Sequence, residues 1–369
     1  MPIYYNGKDL SNLAIIDEKG DYFFKIFDNE NQISVTLEYQ PTLEMEYDYN
    51  DFQLELFDNN YLNAENDVFQ IYDKDEKIRL GWIFPLSNLE GSENDFTDNL
   101  HLNRYKFVAF HLLLLAREKN IDLDTSQRLN SISDIYKNNP ILLILSNSSI
   151  SKIKDFSLDN YIPSLSKYGY YKQNEYENLL TLRSKNEYCL KQRGRADLNL
   201  IKSQRDINSN RFFKELFSKH LKSLEHHLVR FHILYQVIEY ILTERFDVVF
   251  ANLIGEYNAK KIIKNDFIEK INELGKERLN IRKVINCLRE KKCDFQILDL
   301  ERDCKDLLSA HNKKFKNSLG DLIYDVRNLI VHNYRNIEDS EIEIIEDITH
   351  ELELLIINII EKYYPQECA

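Results

Sequence analysis

The hydrophobic periodicity of this chain changes along its length, and that change restricts the folds it can adopt. Before about residue 100, apolar and polar residues alternate, as at Ile33, Val35, Leu37 and Tyr39, and this period of two indicates β-strands. After about residue 208, apolar residues recur at the helical period instead. The pattern predicts an α+β protein with an N-terminal antiparallel β-rich domain (a sandwich or open barrel), a mixed segment, and a C-terminal all-α helical bundle.

This change of pattern predicts three segments in a chain of 369 residues, which is long enough for two or three domains. We expect an acidic β-rich domain over residues 1–102, a mixed and mainly helical region over 103–207, and a helical bundle over 208–369. Strands are predicted at residues 21–27, 33–39, 43–49, 52–56, 68–72 and 78–83. A buried helix is predicted at 105–119, whereas the apolar run at 141–145 fits either a strand or part of a helix.

The C-terminal segment is predicted to be helical throughout. The expected helices span residues 211–246, with a break near His220, and then 259–274, 277–291, 300–312, 314–332 and 341–364. Ser340 is the expected N-cap of the last helix, with Glu343 completing a capping box. That helix turns Ile342, Ile345, Ile348 and Leu352 toward the bundle. Its C-terminal isoleucines are apolar enough to bind a partner subunit: Ile356, Ile357, Ile359 and Ile360.

The charge of the chain is distributed unevenly. The formal net charge is −13, but residues 1–100 hold 22 acidic and 6 basic residues, whereas residues 151–230 hold 9 acidic and 16 basic ones. Clustered Lys and Arg bind phosphates, so this basic segment predicts an RNA-binding surface. A solvated helical face is the alternative interpretation. The candidate RNA-binding residues are Lys191, Arg193, Arg195, Lys202 and Arg205.

Several functional classes find no support in the sequence. The five cysteines form no C-x2-C pair, so we expect reduced thiols in a cytoplasmic protein. No signal peptide is recognised, and no apolar run is long enough to span a membrane. Three histidines, His226, His227 and His232, lack a carboxylate or Cys at metal-ligand spacing. We therefore predict no metal and no cofactor, and find no Walker loop or Rossmann fingerprint.

Arg327, Asn328 and His332 form the strongest candidate site. At the helical period Tyr324, Asn328 and His332 share one stripe, with Arg327 beside it. Arg binds phosphate in a fork, and His can move a proton near neutral pH, so the pair suits phosphodiester chemistry. On an earlier helix, Glu239 is the expected carboxylate partner of Arg327. The alternatives are a surface Arg beside a packed or exposed His, and a solvated stripe around Glu239.

The run Arg327-Asn328-x3-His332 resembles the Arg-x4-6-His signature of the HEPN superfamily. Asn328 directly after the Arg and Tyr334 two residues after the His match variants of that motif, and residues 228–242 resemble the long early helix of a HEPN bundle. The resemblance covers residues 208–369 at most and is closest to the Apea-like HEPN proteins of bacterial anti-phage defence. In that group a different N-terminal domain precedes the HEPN module.

The resemblance implies a metal-independent endoribonuclease that cleaves single-stranded RNA or tRNA in anti-phage defence or abortive infection, as a toxin does. His332 would act as general base or acid, Arg327 would hold the scissile phosphate, and Asn328 would orient the phosphate or His332. Tyr334 and Glu239 would support them. Such sites combine motifs from two subunits, so a homodimer through the helical bundle is expected. A phage-derived or cellular trigger is expected at the N-terminal domain.

Two other interpretations stay open. A non-catalytic HEPN-type module could serve dimerisation or the binding of RNA or protein, with the β domain as its recognition surface. Alternatively, the motif is accidental and the chain is a two-domain structural protein.

Overall fold

The structure, a computed structural model of the 369-residue chain, describes residues 3–5, 8–9, 13–17, 23–28, 33–38, 49–59, 67–90, 99–115, 121–122, 140–173, 197–223, 226–290, 297–333, 335, 337–364 and 366. The chain is a mixed α+β protein, as predicted. It divides into two compact units, Met1–Lys202 and Ser203–Ala369.

The strands of the first unit form three sheets. They are β1 Ile3–Tyr5, β2 Lys8–Asp9, β3 Leu13–Asp17, β4 Phe23–Asp28, β5 Ile33–Glu38, β6 Phe52–Asn59, β7 Phe69–Asp73, β8 Arg79–Pro85, β9 Ile121–Asp122, β10 Ile141–Ser146, β11 Tyr170–Lys172 and β12 Asp197–Leu200. The largest sheet has the order β11-β6-β10-β8-β7-β12, and the two smaller ones are β2-β1-β9 and β3-β4-β5. Pairs among strands that lie before residue 102 are antiparallel, as predicted. The two parallel pairs, β1-β9 and β7-β12, each include a strand from later in the chain.

The apolar run at residues 141–145 is a strand, which settles the alternative left open by the sequence. This strand, β10, lies between β6 and β8, and all six of its residues are buried. A strand buried on both faces reads as a continuous apolar run rather than an alternating one. Gly81 of β8 allows the close approach of β10, because a Cβ there would lie 1.8 Å from the carbonyl oxygen of Ile144.

The largest sheet takes strands from both sides of residue 102. β6, β7 and β8 precede that residue, and β10, β11 and β12 follow it. Helix α1, Leu100–Leu115, packs against β6 and β10, with the Tyr105 ring centroid 5.3 Å from that of Phe52. Two short helices of the same unit, α2 Asn147–Ile150 and α3 Ile162–Lys167, follow β10. Strands β6, β7 and β8 therefore share one sheet with strands that come later in the chain.

The second unit contains helices and no strand among its described residues. Its helices are α4 Arg211–Glu215, α5 Leu221–Ser223, α6 His227–Asn258, α7 Lys264–Leu274, α8 Glu277–Glu290, α9 Ile297–Ala310, α10 Leu319–Asn333 and α11 Ile342–Lys362. The predicted break is not at His220, because residues 211–223 are continuously helical and include a π-helical turn over Leu216–His220. The backbone is extended at His226, immediately before α6.

The helices of this unit pack around a core of leucine and isoleucine. α6 packs on α11, α10 packs on both α8 and α9, and α9 also packs on α11. A Cβ at Gly320 would lie 2.8 Å from the backbone of Arg282, so α8 and α10 approach closely. A buried ion pair joins α6 to α11, in which Arg230 Nη2 lies 2.7 Å from Glu353 Oε2.

The predicted start of the last helix was wrong in two respects. Glu341 rather than Ser340 is the N-cap of α11, and no side-chain hydrogen bond caps the helix. The Glu341 carboxylate instead accepts hydrogen bonds from the Glu338 amide and the His311 ring. Ile342 is 46% exposed, not packed in the bundle, whereas Ile345 is buried as predicted.

The four C-terminal isoleucines predicted to bind a partner are 0–1% exposed within the single chain, so that prediction was wrong: Ile356, Ile357, Ile359 and Ile360.

Cys287 is disulfide-bonded, which contradicts the expectation of reduced thiols at that position. Cys304 is a free, buried cysteine. Within the described part of the chain, no helix combines the length and apolar character needed to cross a membrane.

Candidate functional site

Helix α10 carries Arg327, Asn328 and His332, as predicted. Its apolar residues recur at helical spacing and are buried: Leu322, Val326, Leu329 and Ile330. This apolar face packs on α8 and α9 and leaves the polar residues on the other sides of the helix. The core therefore fixes the direction in which each candidate side chain leaves α10.

Arg327 is held by three contacts. Its Nη2 atom lies 3.7 Å from Glu239 Oε1 on α6, and its Nη1 atom donates to Asn328 Oδ1 at 3.1 Å. Its Cζ atom lies 5.4 Å from the centroid of the Tyr235 ring, within the range of a cation–π interaction. The ion pair with Glu239 that the sequence predicted is present. The Arg327 side chain keeps 25% of its surface exposed, enough for a ligand to reach it.

Tyr235 and Glu277 form a layer behind Arg327 that sequence reasoning missed. The Tyr235 ring is 1% exposed, and its hydroxyl donates to Glu277 Oε1 at 2.6 Å. Burial, followed by the hydrogen bond to Glu277 and its charge, raises the pKa of the Tyr235 phenol above its usual range. The ring that supports Arg327 is therefore neutral and anchored to the start of α8.

His332 is exposed near the C-terminal end of α10. Successive residues of a helix are about 100° apart, so His332 lies about 40° around the axis from Asn328 but about 140° from Arg327. Of the four polar groups predicted to converge, Arg327 and Asn328 are joined by a hydrogen bond, whereas His332 lies on the Asn328 side of the helix and not beside Arg327. Tyr324 is engaged elsewhere, because the Arg278 guanidinium lies over its ring at 4.8 Å.

A charged cluster ties the first half of α10 to α8. Arg282 donates to both carboxylate oxygens of Asp321 at 2.9 Å, and Ser318 donates to the same carboxylate. Arg278 pairs with Asp325, one turn further along α10. Burial would raise the pKa of the Asp321 carboxyl, but the hydrogen bonds from Arg282 and Ser318 outweigh it and lower the pKa. The sequence did contain a sign of this cluster, because Arg278 and Arg282 are four residues apart, as are Asp321 and Asp325.

The basic segment is described only in part. Lys191, Arg193, Arg195 and also Tyr334 lie outside the described residues. Lys202 Nζ donates to the carbonyl oxygens of Lys154 and Asp155 at 2.7 and 2.9 Å. Arg205 Nη1 donates to Glu244 Oε2 at 2.5 Å. The two described members of the predicted RNA-binding set are thus engaged within the chain.

The histidines considered as metal ligands have ordinary polar neighbours. His227 Nε2 lies 3.4 Å from Glu346 Oε1, and the His232 ring lies 3.3 Å from the Gln236 amide nitrogen. Among the residues that the structure describes, no group of three or more His, Cys, Asp or Glu side chains has a metal-binding arrangement.

No protein-family model, curated protein or solved structure matches the chain.

Proposed function

We propose that the protein is a metal-independent endoribonuclease of the HEPN type that cleaves single-stranded RNA or tRNA. The observation that supports this best is the arrangement on α10, where Arg327 is held by Glu239, Asn328 and Tyr235, and an exposed histidine follows five residues later. A guanidinium held in place can bind a phosphate in a defined orientation. The side chains needed for phosphodiester chemistry are thus available on one rigid element.

The proposed reaction uses the RNA itself as nucleophile. The 2′-hydroxyl oxygen attacks the adjacent phosphorus, the bond to the 5′ oxygen of the next nucleotide breaks, and a 2′,3′-cyclic phosphate and a 5′-hydroxyl remain. His332 removes the proton of the 2′-hydroxyl or protonates the leaving oxygen, because imidazole exchanges protons near neutral pH. Arg327 stabilises the phosphate oxygens as their negative charge grows. Asn328, hydrogen-bonded to Arg327, orients that guanidinium.

The directions of the two side chains favour a site shared by two copies of the chain. Arg327 and His332 of one helix point about 140° apart, so one copy does not readily bring both to one phosphate. Two copies that place their α10 helices face to face would supply an Arg from one and a His from the other. We therefore propose a homodimer through the helical unit. The role is in anti-phage defence, with a phage-derived or cellular trigger acting on the N-terminal unit.

A second candidate is a non-catalytic HEPN-type module for dimerisation or for binding RNA or protein. The observation that favours it is the ion pair between Arg327 and Glu239. A guanidinium whose charge is compensated by a carboxylate and whose face rests on Tyr235 also serves as a helix–helix contact.

The test is cleavage of labelled total RNA and tRNA by the full-length protein in excess EDTA. Arg327→Ala and His332→Ala are compared with Arg302→Ala and His101→Ala, which change exposed residues elsewhere. If the protein is the proposed nuclease, the wild type leaves cyclic phosphate ends. The rate of RNA cleavage then falls about 100-fold or more in Arg327→Ala and His332→Ala, as is typical when a phosphate ligand or a proton-transfer group is removed. Equal RNA binding by wild type and His332→Ala, with cleavage by neither, supports the second candidate. Protection of cells from phage by the same variants tests the biological role.

A further inference from the structure

A cavity of about 450 Å³ opens on the helical unit, away from the contacts of Arg327. It is bounded by the segment that precedes α4, by one face of α6, and by the residues that follow α11. Its volume lies within the range of small-molecule sites, which is about 300–1,000 Å³. The proposed ribonuclease reaction makes no use of this cavity.

One face of α6 forms a wall of the cavity. Tyr240, Glu244, Asp247 and Val248 are spaced at i, i+4, i+7 and i+8, so they project from the same side of the helix. Phe213 and Tyr364 add two further aromatic rings to the lining. The cavity thus offers aromatic and aliphatic surface together with carboxylates.

The side chains that line the inner part of the cavity form a hydrogen-bonded network with no net charge. Arg205 donates to Glu244 Oε2 at 2.5 Å and to the Tyr363 carbonyl oxygen at 3.3 Å, and its guanidinium lies 5.9 Å from the Phe213 ring centroid. Asn210 donates to the Tyr240 hydroxyl at 2.7 Å. Arg205 is therefore already neutralised by Glu244, so the cavity holds no uncompensated positive charge for an anion.

Two exposed carboxylates remain at the mouth of the cavity. Asp206 uses one oxygen to accept hydrogen bonds from the backbone amides of Asn208 and Ser209. Within the described part of the chain, no cationic side chain forms an ion pair with Asp206 or Asp247. With Arg205 and Glu244 cancelling each other, these two aspartates give the lining a net charge of −2. The lining is thus suited to a cation.

We propose that this cavity binds a short aliphatic di- or polyamine. An ammonium group would lie between Asp206 and Asp247, and the methylene chain would lie against Val248 and the aromatic rings. Aromatic faces attract ammonium groups, and carboxylates pair with them. A bare divalent cation is a poorer fit, because it prefers a closed shell of oxygen ligands to aromatic walls.

The test is calorimetric titration of the full-length protein with spermidine at about 0.15 M salt, where the Debye length of about 8 Å screens general attraction to an acidic protein. We expect saturable binding of one spermidine per chain. Asp247→Asn is expected to weaken binding about fivefold, the effect of removing one partly exposed ion pair. Val248→Trp fills the cavity with every charge intact and is expected to abolish binding. Circular dichroism verifies that each variant is folded.

The matched control is Glu343→Gln, which removes one negative charge from an exposed position on α11. It is expected to leave spermidine affinity unchanged. If Glu343→Gln and Asp247→Asn weaken binding equally, or if Val248→Trp binds as wild type does, the attraction is general electrostatics and the proposed site is wrong. Absence of saturable binding to the wild type also overturns it. None of these results depends on whether the protein cleaves RNA.

Discussion

Lys106 of α1 is a buried lysine, 5% exposed, in the unit that holds the large sheet. Burial lowers the pKa of its ammonium group to about 8, from 10.5 for a free lysine side chain. Between these two values the unfolded chain binds more protons than the folded one, so the free energy of unfolding rises with pH. Below pH 8 both states are protonated and the full cost of burying the charge is present. Above pH 10.5 the cost is gone.

We expect Lys106→Met to raise the free energy of unfolding at pH 7 by on the order of 3 kcal/mol, because it removes a charge that must be desolvated. The gain over wild type should shrink through the window from pH 8 to pH 10.5. Urea unfolding of both proteins at pH 7 and pH 10.5 measures the difference. Lys152→Met, at an exposed lysine, is the control. If Lys106→Met raised the free energy of unfolding equally at both pH values, the stabilisation would come from packing and not from the removed charge.

In the proposed reaction, Tyr235 positions Arg327, because its ring lies beneath the guanidinium. Tyr235→Leu removes the ring beneath the guanidinium, and a cation–π contact is worth roughly 0.5–2 kcal/mol, so RNA cleavage should fall by about 2- to 30-fold. Tyr235→Phe keeps the ring but leaves Glu277 without its phenol partner, so its effect should be smaller. Initial rates of tRNA cleavage, with thermal melts to verify folding, measure both effects. A larger loss in Tyr235→Phe than in Tyr235→Leu would assign the role to the hydroxyl.

The sequence predicted those residues of the candidate site that lie on one helix or that pair by opposite charge. Arg327, Asn328 and His332 share α10, and Glu239 was the obvious carboxylate for an arginine on a neighbouring helix. Tyr235 and Glu277 could not be found in this way, because their contact depends on how α6 and α8 cross. The different directions of Arg327 and His332 were available from helical geometry but were outweighed by the resemblance of the motif.

At the scale of elements, the sequence predicted well those strands and helices whose pattern has a clear period. β4, β5, β7 and β8 lie close to their predicted ranges, and so do α8 and α9. β11 and β12 were missed, since three or four residues are too few to show alternation. The domain boundary predicted at residue 102 cuts through the largest sheet. The sequence could not show this, because pairing between distant strands leaves no local pattern.

The buried ion pair between α6 and α11 should stabilise the protein only while both partners are present. Arg230 and Glu353 side chains are 6% and 3% exposed, and Arg230 Nη2 also donates to the Leu221 carbonyl oxygen at 2.8 Å. Glu353→Leu is expected to cost about 3–5 kcal/mol, because it leaves a buried guanidinium without its carboxylate. The double change Arg230→Met/Glu353→Leu should recover much of that loss. Urea unfolding measures both, and a double variant no more stable than Glu353→Leu would contradict the explanation.

At the scale of the whole molecule, an active site formed by two copies of the chain can be tested by mixing two inactive variants. Arg327→Ala and His332→Ala should each be inactive alone, yet a mixture refolded or co-expressed together should regain cleavage. In the mixed dimer one copy contributes His332 and the other contributes Arg327. Light scattering measures the dimer, and tRNA cleavage measures the recovery. A mixture as inactive as its components, with mixed dimers demonstrated by affinity tags, would place both groups of one site within a single chain.

The central position of β10 has a consequence for how the protein is made. β8 ends at Pro85 and nearly all its residues become buried, but β10, its neighbour in the sheet, begins only at Ile141. At about 5–20 residues per second, a ribosome needs roughly 3–11 seconds to synthesise the intervening chain. During that interval the newly made β8 presents an apolar strand with an open hydrogen-bonding edge, the kind of surface that invites aggregation. Nascent chains released before residue 146 should therefore depend on chaperones to stay in solution.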